Sequence, residues 1–339
     1  MRVFLTGGTG LIGSHIAERL RARGDEVVAL RREDADTSFL EQHGCTVVRG
    51  DVRDSHDELA VHMAGCDALV HAAALVYGSE SWPRVRAVNV EGTTHVLRAV
   101  SVARVPAVVH LSSVVVYGRT WRPVNEDTPI DSPLCPGDLY ARSKREAEAA
   151  VHREAKSTLG GVRLTILRLA AVYGERDRLL APRVAALVRW PVVPVLGAGQ
   201  NSLPIVYAGN AAAAVARCLD RPAKRSVRTY DLGLDHPLTQ EGLLLGMARS
   251  LGTAPRLVHV PRGLVRGAVA LGESLGLSVP GTGDLSLSRF THLALDDNPY
   301  PSRRIRRELD WKPPFGHDEG LRRTVAWLRA GEGRPSLRE

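Results

Sequence analysis

Tyr140 and Lys144 stand four residues apart in Tyr140-Ala141-Arg142-Ser143-Lys144, at the opening of a stretch that carries Glu146, Ala147, Ala150 and Val151. On a helix this spacing puts both side chains on one face. A phenol with an ordinary pKa of about 10 is a poor acid–base group at neutral pH until a neighbouring cation favours its phenolate. Lys144 is placed to supply that cation and to reach a ribose. Ser113 follows the apolar run 107–111 and Ser112, and a serine at a strand end can orient a substrate oxygen while Tyr140 moves its proton. Each residue also has a plain use: serine as a helix cap, tyrosine as half-buried packing, lysine as a surface charge. Together, downstream of a nucleotide-type loop, they point to proton transfer at a carbonyl or alcohol oxygen.

The loop that must position a second reactant is at the N-terminus. A short strand at 3–5 runs into Gly7, Gly8, Gly10 and Gly13, and a helix follows with Ile12, Ile16, Ala17 and Leu20 on one face. Such a turn aims backbone N–H groups and a helix N-terminus at a pyrophosphate. Gly7 would allow the tight turn, Gly10 the approach of the phosphates, and Gly13 the contact of helix with strand. The spacing is Gly-x-x-Gly-x-x-Gly, so the usual Gly-x-Gly-x-x-Gly logic applies only in part, and an ordinary βα turn is the alternative.

A second strand, 26–30, ends in Arg31-Arg32, where an acid would normally take the ribose 2′-hydroxyl. Arginine there suits a 2′-phosphate, so NADP(H) is the expected cofactor and NAD(H) the alternative; an exposed basic loop is the other use of these residues. Strand 46–48 leads into Gly50-Asp51-Val52-Arg53-Asp54. Asp51 can accept from an adenine amino group or cap the next helix. Strand 68–71 ends in Ala72-Ala73-Ala74, small enough to let a cofactor cross the sheet edge or a helix pack closely. The expected cofactor set is Gly7, Gly10, Leu11, Ile12, Gly13, Arg31, Arg32, Asp51, Val52, Ala72, Ala73 and Lys144.

The chain has 339 residues, 44% hydrophobic and 24% charged, as soluble globular proteins do. Its net charge of +8 is spread along the chain, and lysine occurs only at Lys144, Lys156, Lys224 and Lys312. The densest basic run, Arg303 to Arg307, sits beside Glu308 and Asp310 and is expected to be a solvated helix face, with no nucleic-acid partner. Cys45, Cys66, Cys135 and Cys218 are scattered, without a Cys-x-x-Cys pair, which fits a reducing compartment and no zinc site. His71 and His110, inside apolar strands, read as core residues and no metal is expected. There is no signal-peptide pattern, and no apolar run reaches the ~18 residues of a spanning helix. The expectation is a cytoplasmic protein, with peripheral membrane contact left open.

Thr6 to Gly13 (TGGTGLIG), GDVRD at 50–54, HAAA at 71–74, NVEGT at 89–93, SSVVVYG at 112–118, YARSK at 140–144 and RLAAVYG at 168–174 together resemble the extended short-chain dehydrogenases/reductases, the NAD-dependent epimerase/dehydratase superfamily. RRIRRELDWKP at 303–313 is similar to that family's C-terminal segment, so the resemblance spans nearly the whole chain. It implies an α/β fold: a Rossmann-type doubly wound parallel sheet with a smaller, mainly C-terminal substrate domain. The dinucleotide-binding domain would comprise 1–175 plus about 203–228, the substrate domain about 176–202 and 229–330, and 331–339 a tail. The resemblance implies Ser113, Tyr140 and Lys144 as the catalytic trio, and a homodimer through the helices holding Asn89 and Tyr140. Asn89 matches a family asparagine.

Two departures bear on substrate. Nucleotide-sugar enzymes of the family commonly carry asparagine where this chain has Ala171, and many have an arginine near Leu203 to grip a diphosphate. Burying a diphosphate without such donors is costly. Asn210, where the sugar enzymes usually have aspartate, and RLAAVYGERD at 168–177 are closer to the 3β-hydroxysteroid dehydrogenase-like branch. The expected activity is an NADP-dependent oxidoreductase (ketone reductase or secondary alcohol dehydrogenase) acting on an apolar, steroid-like or β-keto small molecule. The competing readings are a nucleotide-sugar epimerase or dehydratase using bound NAD, and a non-catalytic NADP-binding sensor. Residues 256–295, apolar and poor in charge, are expected to form either a lid or the helical core of the small domain.

Overall fold

The computed structural model describes residues 1–76, 80–118, 120, 123–135, 137–221, 227–274, 295–297 and 300–332. Its elements run β1 (Arg2–Thr6), α1 (Leu11–Ala22), β2 (Glu26–Arg31), α2 (Ser38–Gln42), β3 (Thr46–Arg49), α3 (His56–Met63), β4 (Ala68–His71) and α4 (Trp82–Arg86). A π-helical turn (Ala87–Glu91) leads to α5 (Gly92–Val102), β5 (Ala107–Ser113), α6 (Leu139–Ser157), β6 (Arg163–Leu169), β7 (Ala171–Tyr173), α7 (Leu180–Leu187), β8 (Val192–Leu196) and β9 (Ile205–Tyr207). The chain closes with α8 (Ala208–Asp220), β10 (Val227–Leu232), α9 (Gln240–Leu251), β11 (Arg256–Val260), α10 (Arg262–Ser274), α11 (Arg303–Leu309) and α12 (His317–Glu332).

Seven strands form one parallel sheet in the order β10-β6-β5-β4-β1-β2-β3. Chain order reverses between β1 and β4, and the crevice beyond the strand ends at such a switch point is where these sheets take ligands. The strands are continuous apolar runs because both faces are covered. Val3 and Leu5 pack with Ile16 and Leu20 of α1 and Val215 of α8, while Phe4 faces Leu59, Val96 and Val100 of α3 and α5. The Rossmann-type sheet expected from the sequence is present.

Local signals set the element ends. Ser55 and Glu58 make a reciprocal capping box at α3, Thr239 caps α9, and Gly252 ends α9 in the left-handed region at φ 71°. The helical stretch from Trp82 to Val102 is interrupted by the π turn that contains Asn89. A second apolar cluster lies among α7, β8, β9, α9 and α12, with Ala185, Val195, Leu244, Met247 and Leu321 at its centre. Here β8 pairs in parallel with β11, so 256–260, expected within a lid or a helical core, is a strand. Of its five residues only Val258 and Val260 are β-branched, so the partner strand and not local propensity makes it a strand. Residues 275–294 of the expected lid, and 333–339 of the expected tail, lie outside the described residues.

Two boundaries differ from expectation. β10 crosses the domain boundary expected near residue 228, because Val227 to Leu232 pair with Leu164 to Leu169 as the last strand of the main sheet. Tyr300, Ile305, Leu309 and Trp311 also join the main core. Arg304 of the basic run is not solvated: it is half-buried and pairs with Glu126 and Asp127. Among the described residues no helix is long and apolar enough to cross a membrane.

Candidate active site

The glycine loop is built around contacts that side chains would obstruct. Gly7 has φ 73°, and a Cβ there would stand 2.6 Å from the Ala73 nitrogen and 2.7 Å from the Ala72 carbonyl carbon. A Cβ on Gly13 would lie 2.0 Å from the Gly7 oxygen, so Gly13 admits the loop's own carbonyl rather than a strand. Gly10 is different. It is exposed, and a Cβ would meet only the Gly7 oxygen, at 3.4 Å. The room beside Gly10 is therefore open toward solvent, at a helix start that has no side-chain cap and no acidic residue in its first turn. Leu11, Ile12 and Gly13 supply that first turn, whose N–H groups have no intrahelical partner. This cradle fits a pyrophosphate.

The adenosine side is more engaged than the sequence implies. Arg31 is half-buried and its Nη1 donates to the Glu33 carbonyl at 2.5 Å, closing its own loop, while Arg32 is exposed. Asp51 receives a two-pronged contact from Arg53, Nε and Nη2 each at 2.9 Å, and the Arg53 N–H at 2.9 Å. These hydrogen bonds hold its carboxyl below the usual carboxylate range, with Arg32 contributing. Asp51 does not cap the next helix; Ser55 does. The Val52 side chain is buried and meets the space beside Gly92.

Ala72 and Ala73 are half-buried beyond the end of β4, and a hydrogen-bond chain ties them to the tyrosine helix. The Ala73 N–H donates to Thr6 Oγ1 (3.2 Å), which meets His71 Nδ1 (2.7 Å); His71 Nε2 meets Thr93 Oγ1 (3.0 Å), which donates to the Asn89 carbonyl (2.7 Å). Because the Thr93 proton is spent on Asn89, His71 must donate from Nε2 and accept at Nδ1 from the Thr6 hydroxyl. Asn89 holds both polar groups of Leu75 at 2.8 Å and donates to Ser143 Oγ at 2.8 Å. Ser143 donates to the Tyr140 carbonyl at 2.8 Å.

Ser113, Tyr140 and Lys144 converge. A hydrogen bond joins the hydroxyls of Tyr140 and Ser113. Ser113 Oγ also reaches the Leu169 carbonyl at 3.1 Å. Lys144 is buried, its Nζ donating to the Leu111 carbonyl at 2.9 Å and standing 5.7 Å from the Tyr140 ring centroid. The sequence leads one to expect a lowered phenol pKa, and the opposite is found. Burial of the hydroxyl end pushes Tyr140 up to about 12, against a smaller lowering by Ser113. Burial also draws Lys144 down to about 8. Lys144, its ammonium bound to a backbone carbonyl, does not outweigh the desolvation of the phenol.

His71 and His110 are core residues, as expected, with rings 5.3 Å apart. Neither ring nitrogen of His110 has a partner among the described residues. Burial, with the Lys144 charge second, holds His71 down to about 3; burial, then His71 and Lys144, hold His110 well below the usual range. Both folded values lie below the unfolded 6.5, so the unfolded chain binds more protons once the pH drops under 6.5. Their contribution to stability is present above that pH and is lost as the pH falls, by about 1.4 kcal/mol per pH unit for each ring. His110→Phe should flatten the acid limb of stability by one proton and stabilise the protein near neutrality. Urea unfolding at about pH 7 and about pH 5 measures both effects; an unchanged slope contradicts the assignment.

On the outer side of the crevice, Ala171 is exposed on β7 beside Ile205. Leu203 packs against the second apolar cluster. Asn210 does not face the crevice. It is fully buried, donating to Asp235 (2.7 Å) and Phe315 (2.8 Å) and accepting from the Phe315 N–H (3.0 Å). Sequence reasoning also missed Glu148 and Arg168, a buried pair beneath Lys144. The i, i+4, i+8 spacing of Tyr140, Lys144 and Glu148 was the available signal.

The profile of the NAD dependent epimerase/dehydratase family matches residues 3–233. A 4-hydroxy-2-methyl-3-oxo-4-farnesyl-3,4-dihydroquinoline-1-oxide ketoreductase of Stigmatella aurantiaca is 27% identical over 336 residues, covering 98% of both chains. A 2-alkyl-3-oxoalkanoate reductase of Stenotrophomonas maltophilia (strain K279a) is 28% identical, covering 96% of this chain and 99% of its own. Among solved structures, a UDP-glucose-4-epimerase from Stenotrophomonas maltophila with bound NAD and formylated UDP-arabinopyranose superposes with a TM-score of 0.76 at 24% identity, over 98% of this chain and 99% of that one. With its family profile, its parallel sheet and its full-length relatives in agreement, the chain belongs to the NAD dependent epimerase/dehydratase family and is an NAD(P)-dependent enzyme of the extended short-chain dehydrogenase/reductase type.

Proposed function

We propose that the protein is an NADP(H)-dependent reductase of an apolar ketone, of the β-keto acid or steroid-like class. The observation that carries this reading is the joined pair of hydroxyls, Tyr140 and Ser113, with Lys144 one helical turn along. The full-length relatives whose names state reduction of 3-oxo compounds support it. So do Ala171 and the packed Leu203, which offer no charge to a diphosphate.

The dinucleotide would lie across Gly7, Gly10, Leu11, Ile12 and Gly13, with the adenosine near Arg31, Arg32, Asp51 and Val52 and the nicotinamide half passing Ala72 and Ala73 toward Lys144. When bound, the nicotinamide supplies hydride to the carbonyl carbon. Ser113 holds the carbonyl oxygen by a hydrogen bond and keeps it in line with Tyr140. Tyr140, held protonated by burial, gives its proton to the oxygen as negative charge develops there. Because the developing alkoxide is a far stronger base than a phenolate, a phenol pKa near 12 suits the reductive direction. Lys144 stabilises the resulting phenolate and hydrogen-bonds the ribose. The small domain built on β8, β11, α7 and α9 closes the apolar side of the crevice, and the enzyme works in the cytoplasm.

A panel of steroid ketones, aliphatic β-keto acids, aromatic ketones and UDP-sugars, each with NADPH and with NADH, tests this reading. Oxidation of NADPH by an apolar ketone supports it. Isomerisation of a UDP-sugar without net cofactor consumption establishes instead the second reading, an NAD-retaining epimerase or dehydratase, which the likeness to the solved epimerase favours.

Cofactor choice rests on Arg31 and Arg32. A charge-assisted hydrogen bond is worth about 1.5–3 kcal/mol, so Arg31→Asp or Arg32→Asp should lower the NADPH/NADH ratio of kcat/KM by about tenfold or more. Exposed Arg32 should carry more of this effect than Arg31, which is turned onto the Glu33 carbonyl. A ratio unchanged in both variants contradicts the NADP preference. The homodimer through α5 and α6 is tested by sedimentation; Arg98 of α5 and Arg142 of α6 are exposed on those helices.

A further inference from the structure

We infer that Glu148, held by Arg168, is a positioning residue that keeps Lys144 charged and in register with Tyr140 and Ser113. The inference rests on the reductase reading for its kinetic consequence and on geometry for everything else.

Tyr140, Lys144 and Glu148 follow one another at four-residue intervals on the face of α6 that meets β5. Glu148 is fully buried. Its Oε1 accepts from the Ser112 hydroxyl at 2.6 Å and from Arg168 Nε at 2.9 Å, and its Oε2 accepts from Arg168 Nη2 at 2.7 Å. Ser112 precedes Ser113, and Arg168 on β6 is the register partner of Ser112. One carboxylate thus fixes the tyrosine helix to the two strands that bring Ser113 into place. Arg168 is anchored in turn, its Nη1 donating to the Tyr117 hydroxyl at 2.7 Å, beside Asp231.

The groups around Lys144 define what Glu148 does electrically. On α6 they are the Tyr140 phenol and Glu148; from β4 and β5 come His71 and His110, both neutral; from β6 comes Arg168, behind the carboxylate it holds. Glu148 is the anion among them. Burial opposes the ammonium, and the Glu148 charge acts the other way, leaving Lys144 at about 8. Without that carboxylate more of the lysine would be neutral near pH 7, and its support for a phenolate on Tyr140 would weaken.

Two substitutions should move Lys144 in opposite directions. Glu148→Gln removes the anion and exposes Lys144 to Arg168, so the Lys144 pKa should fall by about one unit or more. The alkaline limb of kcat should move to lower pH with it. Arg168→Met leaves the carboxylate uncompensated, so Lys144 should titrate above its wild-type value. A purely structural role would impair both variants alike. The chain has four lysines, so Lys144 can be followed directly in protein carrying 13Cε-labelled lysine, titrated by NMR and assigned with Lys144→Met. Either single variant leaves a charge buried alone and can fail to fold. The double variant Glu148→Gln/Arg168→Met leaves no such charge, and its Lys144 pKa should lie below wild type and above Glu148→Gln. A Lys144 titration unchanged across the folded variants overturns the inference. Opposite shifts in Lys144 with no ketone turnover in any form would uphold it and overturn the reductase reading instead.

Discussion

Tyr140→Phe is expected to lower kcat by about 10²–10⁴-fold and to leave the Kd for NADPH nearly unchanged. The ring is half-buried on α6, and Phe keeps its volume and contacts, so the helix and Lys144 should stay in place. What is removed is the hydroxyl that meets Ser113. Ser113 retains the Leu169 carbonyl and the Val115 N–H as partners and is not stranded by the change. The loss therefore falls on proton donation to the developing alkoxide, a transition-state term that appears in kcat and kcat/KM together. Wild-type turnover in this variant would contradict the role given to Tyr140.

Gly13→Ala is expected to weaken dinucleotide binding by about 100-fold or more and to destabilise the fold by ~3 kcal/mol. The new Cβ would stand 2.0 Å from the Gly7 oxygen, 2.6 Å from its carbonyl carbon and 2.9 Å from the Gly8 Cα. All three are backbone atoms, and none can rotate away. Gly7 itself has no room to retreat, since its far side rests on Ala72 and Ala73. Helix α1 must lift or the loop must open, and either spoils the anion cradle. Gly10→Ala supplies the contrast, because its Cβ meets one atom at an ordinary 3.4 Å. That variant should keep its Tm and still bind the dinucleotide more weakly. Thermal unfolding with cofactor titration separates the two; a wild-type Tm in Gly13→Ala contradicts the loop geometry.

Features carried by local pattern were legible before the structure. The strand at 68–71 is found at those residues, because an apolar run buried on both faces ends at the small Ala72–Ala74. Thr239 caps α9 by accepting from the Gly242 N–H, a contact decided within one turn. Features made by distant chain segments were not legible. β11 becomes a strand only beside β8, and Asn210 becomes a clamp only because Phe315 and Asp235 arrive beside it. The direction of the Tyr140 shift belongs to the same class. Spacing placed Lys144 near the phenol, but the depth of burial and the Leu111 carbonyl that holds the ammonium come from packing. Asp51 was picked out by its strand end, whereas its engagement by Arg53 depends on the shape of the turn.

The most direct test of the central claim is the fate of NADPH carrying deuterium at nicotinamide C4, in either configuration, with a 2-alkyl-3-oxo acid and the purified protein. The account predicts one NADPH oxidised per ketone, deuterium from one of the two configurations at the carbinol carbon of the product, and loss of both in Tyr140→Phe. No net oxidation with any ketone, together with isomerisation of a UDP-sugar at constant cofactor, would contradict it.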